Sequence, residues 1–248
     1  MNILISNDDG IKSNGIKSLA ERLSKEHKVL VVAPDGNRSA CSHSISLSNT
    51  LKLKKYSGIK NVDAYSLSGT PADCVKFSKL VFTDFNPDVV IAGINVGHNI
   101  GSDILYSGTV SIACEGAFFG HVAFAFSVYE LNETNFDFYS KYCEDILNVL
   151  MPVSRLGDIW NVNFPPKSSG EIKGIRVTSL GKQLYSDKYV NIGRNKYKFT
   201  GYIVNHKDNC EDCDIEWSKK GYITITPILF NKTNYQRINE VKGLCERL

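Results

Sequence analysis

Residues 1–10 read MNILISNDDG, and the meaning of this stretch decides the fold. A short apolar run, Ile3, Leu4 and Ile5, breaks into Ser6, Asn7, Asp8, Asp9 and Gly10. An apolar run closed by Asn, Asp and Gly spells a buried strand ending in a turn. In open α/β sheets ligands bind beyond the carboxyl ends of the strands, which puts Asp8 and Asp9 at the mouth of that crevice. Like charges this close repel unless a cation lies between them, and hard carboxylate oxygens suit Mg or Mn better than zinc. The alternative is a turn whose two Asp side chains are solvated and help to cap the next helix.

Working outward, Ile16, Leu19, Ala20 and Leu23 recur at helical spacing, so strand, acidic turn and amphipathic helix follow in order. Val29 to Val32 is a second buried strand, and it runs into Ala33-Pro34-Asp35-Gly36-Asn37-Arg38-Ser39. That turn-rich loop leaves the sheet at the same edge, so Arg38 and the Ser39 hydroxyl reach toward the acidic pair. Residues 44–56 alternate and predict one or two half-exposed strands. Ala64 to Leu67 predicts a third sheet strand, after which Thr70-Pro71 with Asp73 opens a helix.

Val89 to Ile94 is the strongest buried strand and ends in GINVGHNIG, residues 93–101. Asn95 offers a neutral carbonyl oxygen of the kind Mg accepts, and the glycine spacing is not that of a nicotinamide dinucleotide site. Ser107, Gly108 and Thr109 open an apolar helix, where hydroxyls and free N–H groups either bind an anion or form an ordinary N-cap. Val122 to Val128 reads as a strand and Tyr139 to Leu150 as a helix. His43, His98 and His121 share no metal-ligand spacing and read as structural or surface residues.

From Ile159 the pattern changes to shorter extended segments: Trp160 to Phe164, Ile175 to Leu180, Tyr197 to Val204 and Tyr222 to Ile228. They predict added strands and a long hairpin, with a polar helical tail from Asn234. The expected organisation is a Rossmann-like core over 1–155 and a β-rich extension over 156–248, joined in one structural unit. The fold class is α/β, a mainly parallel sheet flanked by helices.

At 248 residues and 42% hydrophobic, the chain can bury a sizeable core. A net charge of only +3 makes no case for a nucleic-acid polymer or a membrane surface. No basic segment leads into an apolar stretch at the start and no run of about eighteen apolar residues occurs, so a cytoplasmic setting is expected. Seven scattered cysteines fit reduced core residues. His206, Cys210 and Cys213, with Cys245 as a conceivable fourth, give a zinc-like spacing that no second close pair completes.

In an alternating β/α chain, a parallel sheet gathers its polar turns along one rim. Asp8, Asp9, Ser39 and Asn95 then surround one point. Two carboxylates, a hydroxyl and an amide carbonyl leave room for water and a substrate oxygen around an octahedral cation. Such a site suits phosphoryl transfer to water, with the helix start at Ser107 to Thr109 holding the phosphate.

Five motifs in order, MNILISNDDG (1–10), APDGNRSA (33–40), SGTPADCV (68–75), AGINVGHNIG (92–101) and LYSGTV (105–110), resemble the survival protein SurE family of metal-dependent nucleotidases. The second half matches more loosely, best from Lys219 to Pro227, and the Cys210/Cys213 patch has no counterpart in the pattern. The resemblance implies one divalent cation (Mg or Mn) per subunit at Asp8, Asp9, Ser39 and Asn95. It also implies removal of phosphate from nucleoside 5′- and 3′-monophosphates, and a C-terminal part exchanged between subunits in homodimers or homotetramers. Short polyphosphate is a further expected substrate. Asp8 and Asp9 are the expected catalytic pair, with Asn7, Ser39, Asn95, Ser107, Gly108 and Thr109 around the substrate phosphate. Two rival readings are Asp8 as a covalent nucleophile, which lacks a second acid at position 10, and a phosphate-binding receiver-like regulator, which lacks the long second half.

Overall fold

The computed structural model describes residues 1–129, 135–166, 169–204 and 210–245. The first half alternates strand and helix: β1 (Asn2–Ser6), α1 (Asn14–Leu23), β2 (Lys28–Pro34), β3 (Leu53–Lys55), β4 (Asp63–Leu67), α2 (Pro71–Val81) and β5 (Val89–Val96). After a 3₁₀ turn at Gly101–Leu105 come α3 (Gly108–Phe118), β6 (Val122–Val128), α4 (Phe136–Leu150) and β7 (Ile159–Phe164). The remainder comprises β8 (Ile175–Val177), β9 (Leu184–Tyr185), β10 (Lys188–Asn191), β11 (Tyr197–Thr200), β12 (Ile203–Val204), α5 (Asp214–Lys219), β13 (Ile223–Ile228) and α6 (Tyr235–Cys245).

One nine-stranded sheet runs β3-β4-β2-β1-β5-β6-β7-β13-β8. Its six central strands, β4 to β7 in that order, are parallel, whereas β3 pairs antiparallel with β4 and β13 antiparallel with β7. The sheet therefore continues past residue 155 into the C-terminal part. From β1 the chain first adds β2 and β4 on one side, then returns to add β5, β6 and β7 on the other, which makes the β1/β5 junction the point where strand order reverses.

The continuous apolar runs of the central strands follow from burial on both faces. Ile3, Ile5, Ile91, Phe124 and Phe126 face one core with α1 and α4, while Leu4, Val32, Val90 and Ala125 face a second with α2 and α3. On the first face, Arg22 of α1 donates to the Ser140 hydroxyl of α4 at 2.8 Å and pairs with Glu144 at 3.3 Å. On the second, Gly116 lets α3 sit close to the sheet, because a Cβ there would lie 2.7 Å from that of Val90.

Three expectations are corrected. Of residues 44–56 only β3 is a strand. The Ser46 N–H donates to Asp73 at 3.0 Å and the Ser44 carbonyl accepts from the Thr70 hydroxyl at 2.7 Å, so their bonds go to a helix cap instead of a ladder. The segment read as one strand from Tyr197 to Val204 is two, β11 paired with β10 and β12 with β9. The polar stretch before Ile215 ends in a helix, α5, which lacks the length to show a periodicity.

The Thr70 and Asp73 cap is reciprocal: the Asp73 N–H donates to the Thr70 hydroxyl at 3.1 Å, and the Thr70 N–H to the Asp73 carboxylate at 2.9 Å. Burial alone would raise the pKa of Asp73, but the N–H groups of Thr70 and Ser46 outweigh it and hold the carboxyl below its ordinary value. A depressed pKa stabilises the fold above the ordinary value and ceases to do so as pH falls through the depressed one. Asp73→Ala is expected to lower stability in urea by about 1–2 kcal/mol at pH 7. That gap should narrow as pH drops below the carboxylate range, and equal stability at pH 7 would contradict the clamp.

Candidate active site

Asp8 and Asp9 follow β1 at the reversal point of strand order. Asn7 builds their turn: its side-chain oxygen accepts from the Gly10 N–H at 3.1 Å, and its Nδ2 donates to the Gly10 carbonyl at 3.1 Å and to the Ser13 hydroxyl at 2.7 Å. Ser13 in turn caps α1. The Asn7 amide is thus engaged inside the turn, and its place in the site is beneath the acidic pair.

The Asp8 side chain lies against the start of α3. Its Oδ1 accepts from the Thr109 hydroxyl at 2.6 Å, and the N–H groups of Gly108 and Thr109 also bond to the carboxylate. Gly108 is the residue that permits this, since a Cβ there would meet the Asp8 Oδ2 at 2.8 Å. Burial pushes the Asp8 carboxyl up, and the hydroxyl and helix-terminal N–H groups only partly oppose it. Asp9 is less enclosed. Burial first, then the charge of Asp8, push it to about 6, against a single long bond from the Val96 N–H at 3.4 Å.

The loop after β2 is drawn over Asp8 by its backbone: the Arg38 N–H donates to the Asp8 carbonyl at 2.7 Å. The Arg38 guanidinium turns away to Asp35 at 3.0 Å. Ser39 is exposed, and its hydroxyl donates to the Asn37 side chain at 2.7 Å, which leaves its lone pairs available. Asn95 sits where the β5/β6 register shifts between Ala92 and Asn95, an irregularity that re-aims the strand end. Its Nδ2 donates to the Gly97 carbonyl at 2.5 Å, so the side-chain oxygen is the atom on offer. Ser107 accepts from the Val110 N–H at 3.0 Å as the N-cap of α3. The start of α3 therefore grips Asp8 through Gly108 and Thr109, while the Ser107 hydroxyl oxygen caps the helix.

Several contributors were not singled out from sequence. Asn99 is a buried hub: its N–H donates to Asn163 at 2.7 Å, its Nδ2 to Ser127 at 2.8 Å, and its carbonyl accepts from Asn161 at 2.8 Å and Asn163 at 3.1 Å. Asp214 accepts from the Gly101 N–H at 2.7 Å and the Gly181 N–H at 2.8 Å, tying the loop after β5 to α5. Glu115 of α3 binds His43 at 2.8 Å and Lys76 at 3.4 Å, which anchors the loop that carries Ser39. A polar residue at every second position of β7, Asn161 and Asn163, was the available signal for the first of these.

Among the described residues neither Asp8 nor Asp9 makes an ion pair with Lys or Arg. Two adjacent desolvated carboxylates with no cationic partner among the described residues are hard oxygen donors of the kind that suits a divalent cation. No group of three or more His, Cys, Asp or Glu gathers among the described residues. Of the zinc-like spacing, His206 lies outside them, Cys210 is exposed and Cys213 is the buried N-cap of α5.

Comparison with known proteins identifies relatives along nearly the whole chain. Residues 3–187 match the family described as Survival protein SurE. A 5′-nucleotidase SurE of Clostridium botulinum (strain ATCC 19397 / Type A) is 41% identical over 98% of this chain and 99% of its own. One from Caldanaerobacter subterraneus subsp. tengcongensis is 43% identical over 97% and 96%. The crystal structure of the SurE protein from Aquifex aeolicus superposes with a TM-score of 0.82 at 35% identity, covering 98% of both chains. A family-model match over residues 3–187 and relatives about two-fifths identical along nearly their whole length place the chain in the SurE family.

Proposed function

We propose that the chain is a divalent-metal-dependent 5′-nucleotidase, a phosphoric monoester hydrolase that releases phosphate from nucleoside 5′-monophosphates. The observation that carries this reading is the pair Asp8 and Asp9, desolvated side by side with no cationic side chain paired to either among the described residues. The relatives' common name, 5′-nucleotidase, supports the substrate. Activity on 3′-monophosphates and short polyphosphate belongs to the same proposal, since recognition here centres on the phosphoryl group.

Asp8, Asp9, Ser39 and Asn95 would hold the cation, one per subunit, with Mg and Mn the ions that suit their oxygens. When bound, it supplies Lewis-acid polarisation of a phosphoryl oxygen and lowers the pKa of nearby water. Asp8 is the positioned ligand, since Thr109 and the α3 N–H groups fix its carboxylate. Asp9 keeps its carboxylate largely uncommitted and is the group placed to accept a proton from water at its Oδ atoms. Ser39, in the loop after β2, and Asn95, near the end of β5, would take the phosphoryl oxygens.

A homodimer or homotetramer is part of the proposal. The β10/β11 hairpin exposes Tyr189, Ile192, Tyr197 and Phe199, apolar surface suited to a second copy of the chain. No helix among the described residues is long and apolar enough to cross a membrane. Free cysteines and a nucleotide substrate support a cytoplasmic setting.

The direct test is phosphate release from a panel of 5′- and 3′-nucleoside monophosphates by EDTA-stripped protein resupplied with Mg or Mn. Restored turnover is expected, and tight nucleotide binding without turnover under any metal would instead favour a regulatory module. Asp8→Asn and Asp9→Asn should each lose about 100-fold or more in kcat while retaining the fold by circular dichroism. Thr109→Val should lose about 10- to 100-fold, because it frees the carboxylate it orients; full activity in all three variants would overturn the site.

A further inference from the structure

The 3₁₀ turn Gly101–Leu105 is fastened to the C-terminal part at three consecutive residues. Beyond the bond from the Gly101 N–H to Asp214, the Ser102 hydroxyl donates to the Gln183 carbonyl at 2.5 Å and accepts from the Gln183 N–H at 3.1 Å. The Asp103 carboxylate accepts from the Tyr185 hydroxyl at 2.6 Å. Leu184 and Tyr185 form β9, and its ladder with β12 closes the base of the β10/β11 hairpin.

None of these bonds touches a candidate ligand, yet the turn they hold continues into the site. Through Tyr106 it leads to Ser107, the N-cap of the helix whose start grips Asp8. It also carries the loop after β2: Ser42 donates its N–H to the Tyr106 carbonyl at 3.0 Å and its hydroxyl to the Leu105 carbonyl at 2.8 Å. Ser39 therefore lies between two backbone anchors, Arg38 on the Asp8 carbonyl and Ser42 on the turn. The segment depends on both. Ala40 and Ser42 stand at φ 55° and 53°, a left-handed backbone that residues with a Cβ adopt at a cost and keep only where their surroundings impose it. The second anchor is only as firm as the turn. Ile104 packs on the second core, but Leu105 and Tyr106, which supply the accepting carbonyls, are 51% and 66% exposed, so burial does little to fix them. The bonds from the C-terminal part to residues 101–103 supply that firmness.

We infer that Tyr185 and Asp103 are positioning residues for Ser39: their bond seats the turn, the turn seats Ser42, and Ser42 holds Ser39 at the rim beside the acidic pair. The inference rests on the metal-dependent nucleotidase reading. It gives the hairpin-bearing arm a part in shaping a site whose proposed ligands all precede residue 100.

The test follows the metal as well as turnover. Mn affinity is measured by calorimetry on the EDTA-stripped chain, with kcat and KM for adenosine 5′-monophosphate alongside. Tyr185→Phe deletes one hydroxyl from a ring 41% exposed; it should weaken Mn about fivefold and raise KM more than it lowers kcat. Asp103→Ala should match it, whereas Asp103→Asn keeps an oxygen for the Tyr185 hydroxyl and should stay within about twofold of the native chain. In a Ser39→Ala background, Tyr185→Phe should alter Mn affinity by less than about twofold, because the residue through which it acts is gone. Ser42→Ala, which cuts the path at the loop, should also weaken Mn, and combined with Tyr185→Phe should lose less than the product of the two effects. Native Mn affinity in Tyr185→Phe, the same loss persisting in the Ser39→Ala background, or native protein that takes up no Mn would each overturn the inference. The expected pattern of Mn affinities without turnover of any nucleoside monophosphate would sink the nucleotidase reading and keep the positioning role.

Discussion

Two adjacent carboxylates, Asp8 buried and Asp9 half-buried, are the constraint on which the rest of this molecule turns. Each loses hydration, and each raises the cost of charging the other. Nothing in the hydrophobic core requires them. They sit where the sheet reverses its strand order, the one place in such a fold where loops diverge on either side and open a crevice. A cation joining them, as the proposed function has it, would convert the repulsion into ligation and link the fold to the chemistry.

The surrounding structure holds these charges still. Thr109 and the first N–H groups of α3 grip Asp8, and Asn7 closes the turn below. The loop after β2 is anchored by its own backbone to Asp8 and through His43 to Glu115. The loop after β5 is held from the opposite direction, by Asn99 on β6 and β7 and by Asp214 from the C-terminal part. Residues more than 100 positions downstream therefore set the shape of a site whose charged groups come from the first ten. The β-rich extension completes the crevice as well as lengthening the sheet.

Much of this was legible in the amino-acid order. The runs Ile3 to Ile5, Val29 to Val32, Val89 to Ile94 and Val122 to Val128 are strands because their continuous apolarity has no other stable use between helices. Parallel alternation also puts the ends of β1, β2 and β5 on one rim, where the Arg38 and Val96 N–H groups reach Asp8 and Asp9. Less legible were features decided by tertiary partners. The alternation over 44–56 promised strands, but Asp73 and Thr70 claim the backbone groups of Ser46 and Ser44. Ser107 to Thr109 read as anion site or cap, with spacing slightly favouring the cap, and the side chain that lies at that helix start, Asp8, comes from far upstream. Asp214 carried no signal, and that for Asn99 lay only in the alternating Asn161 and Asn163 of β7, since a buried polar hub is defined by what surrounds it.

The central claim is that Asp8 and Asp9 are held together for a cation, and the thermal midpoint measures this without reference to turnover. With EDTA present, Asp9→Asn removes one of two adjacent, partly desolvated like charges and is predicted to melt at a higher temperature than the native chain. Addition of Mn should then raise the native midpoint clearly and the variant's little. A variant that melts lower in EDTA, or that gains as much from Mn as the native protein, would contradict the account.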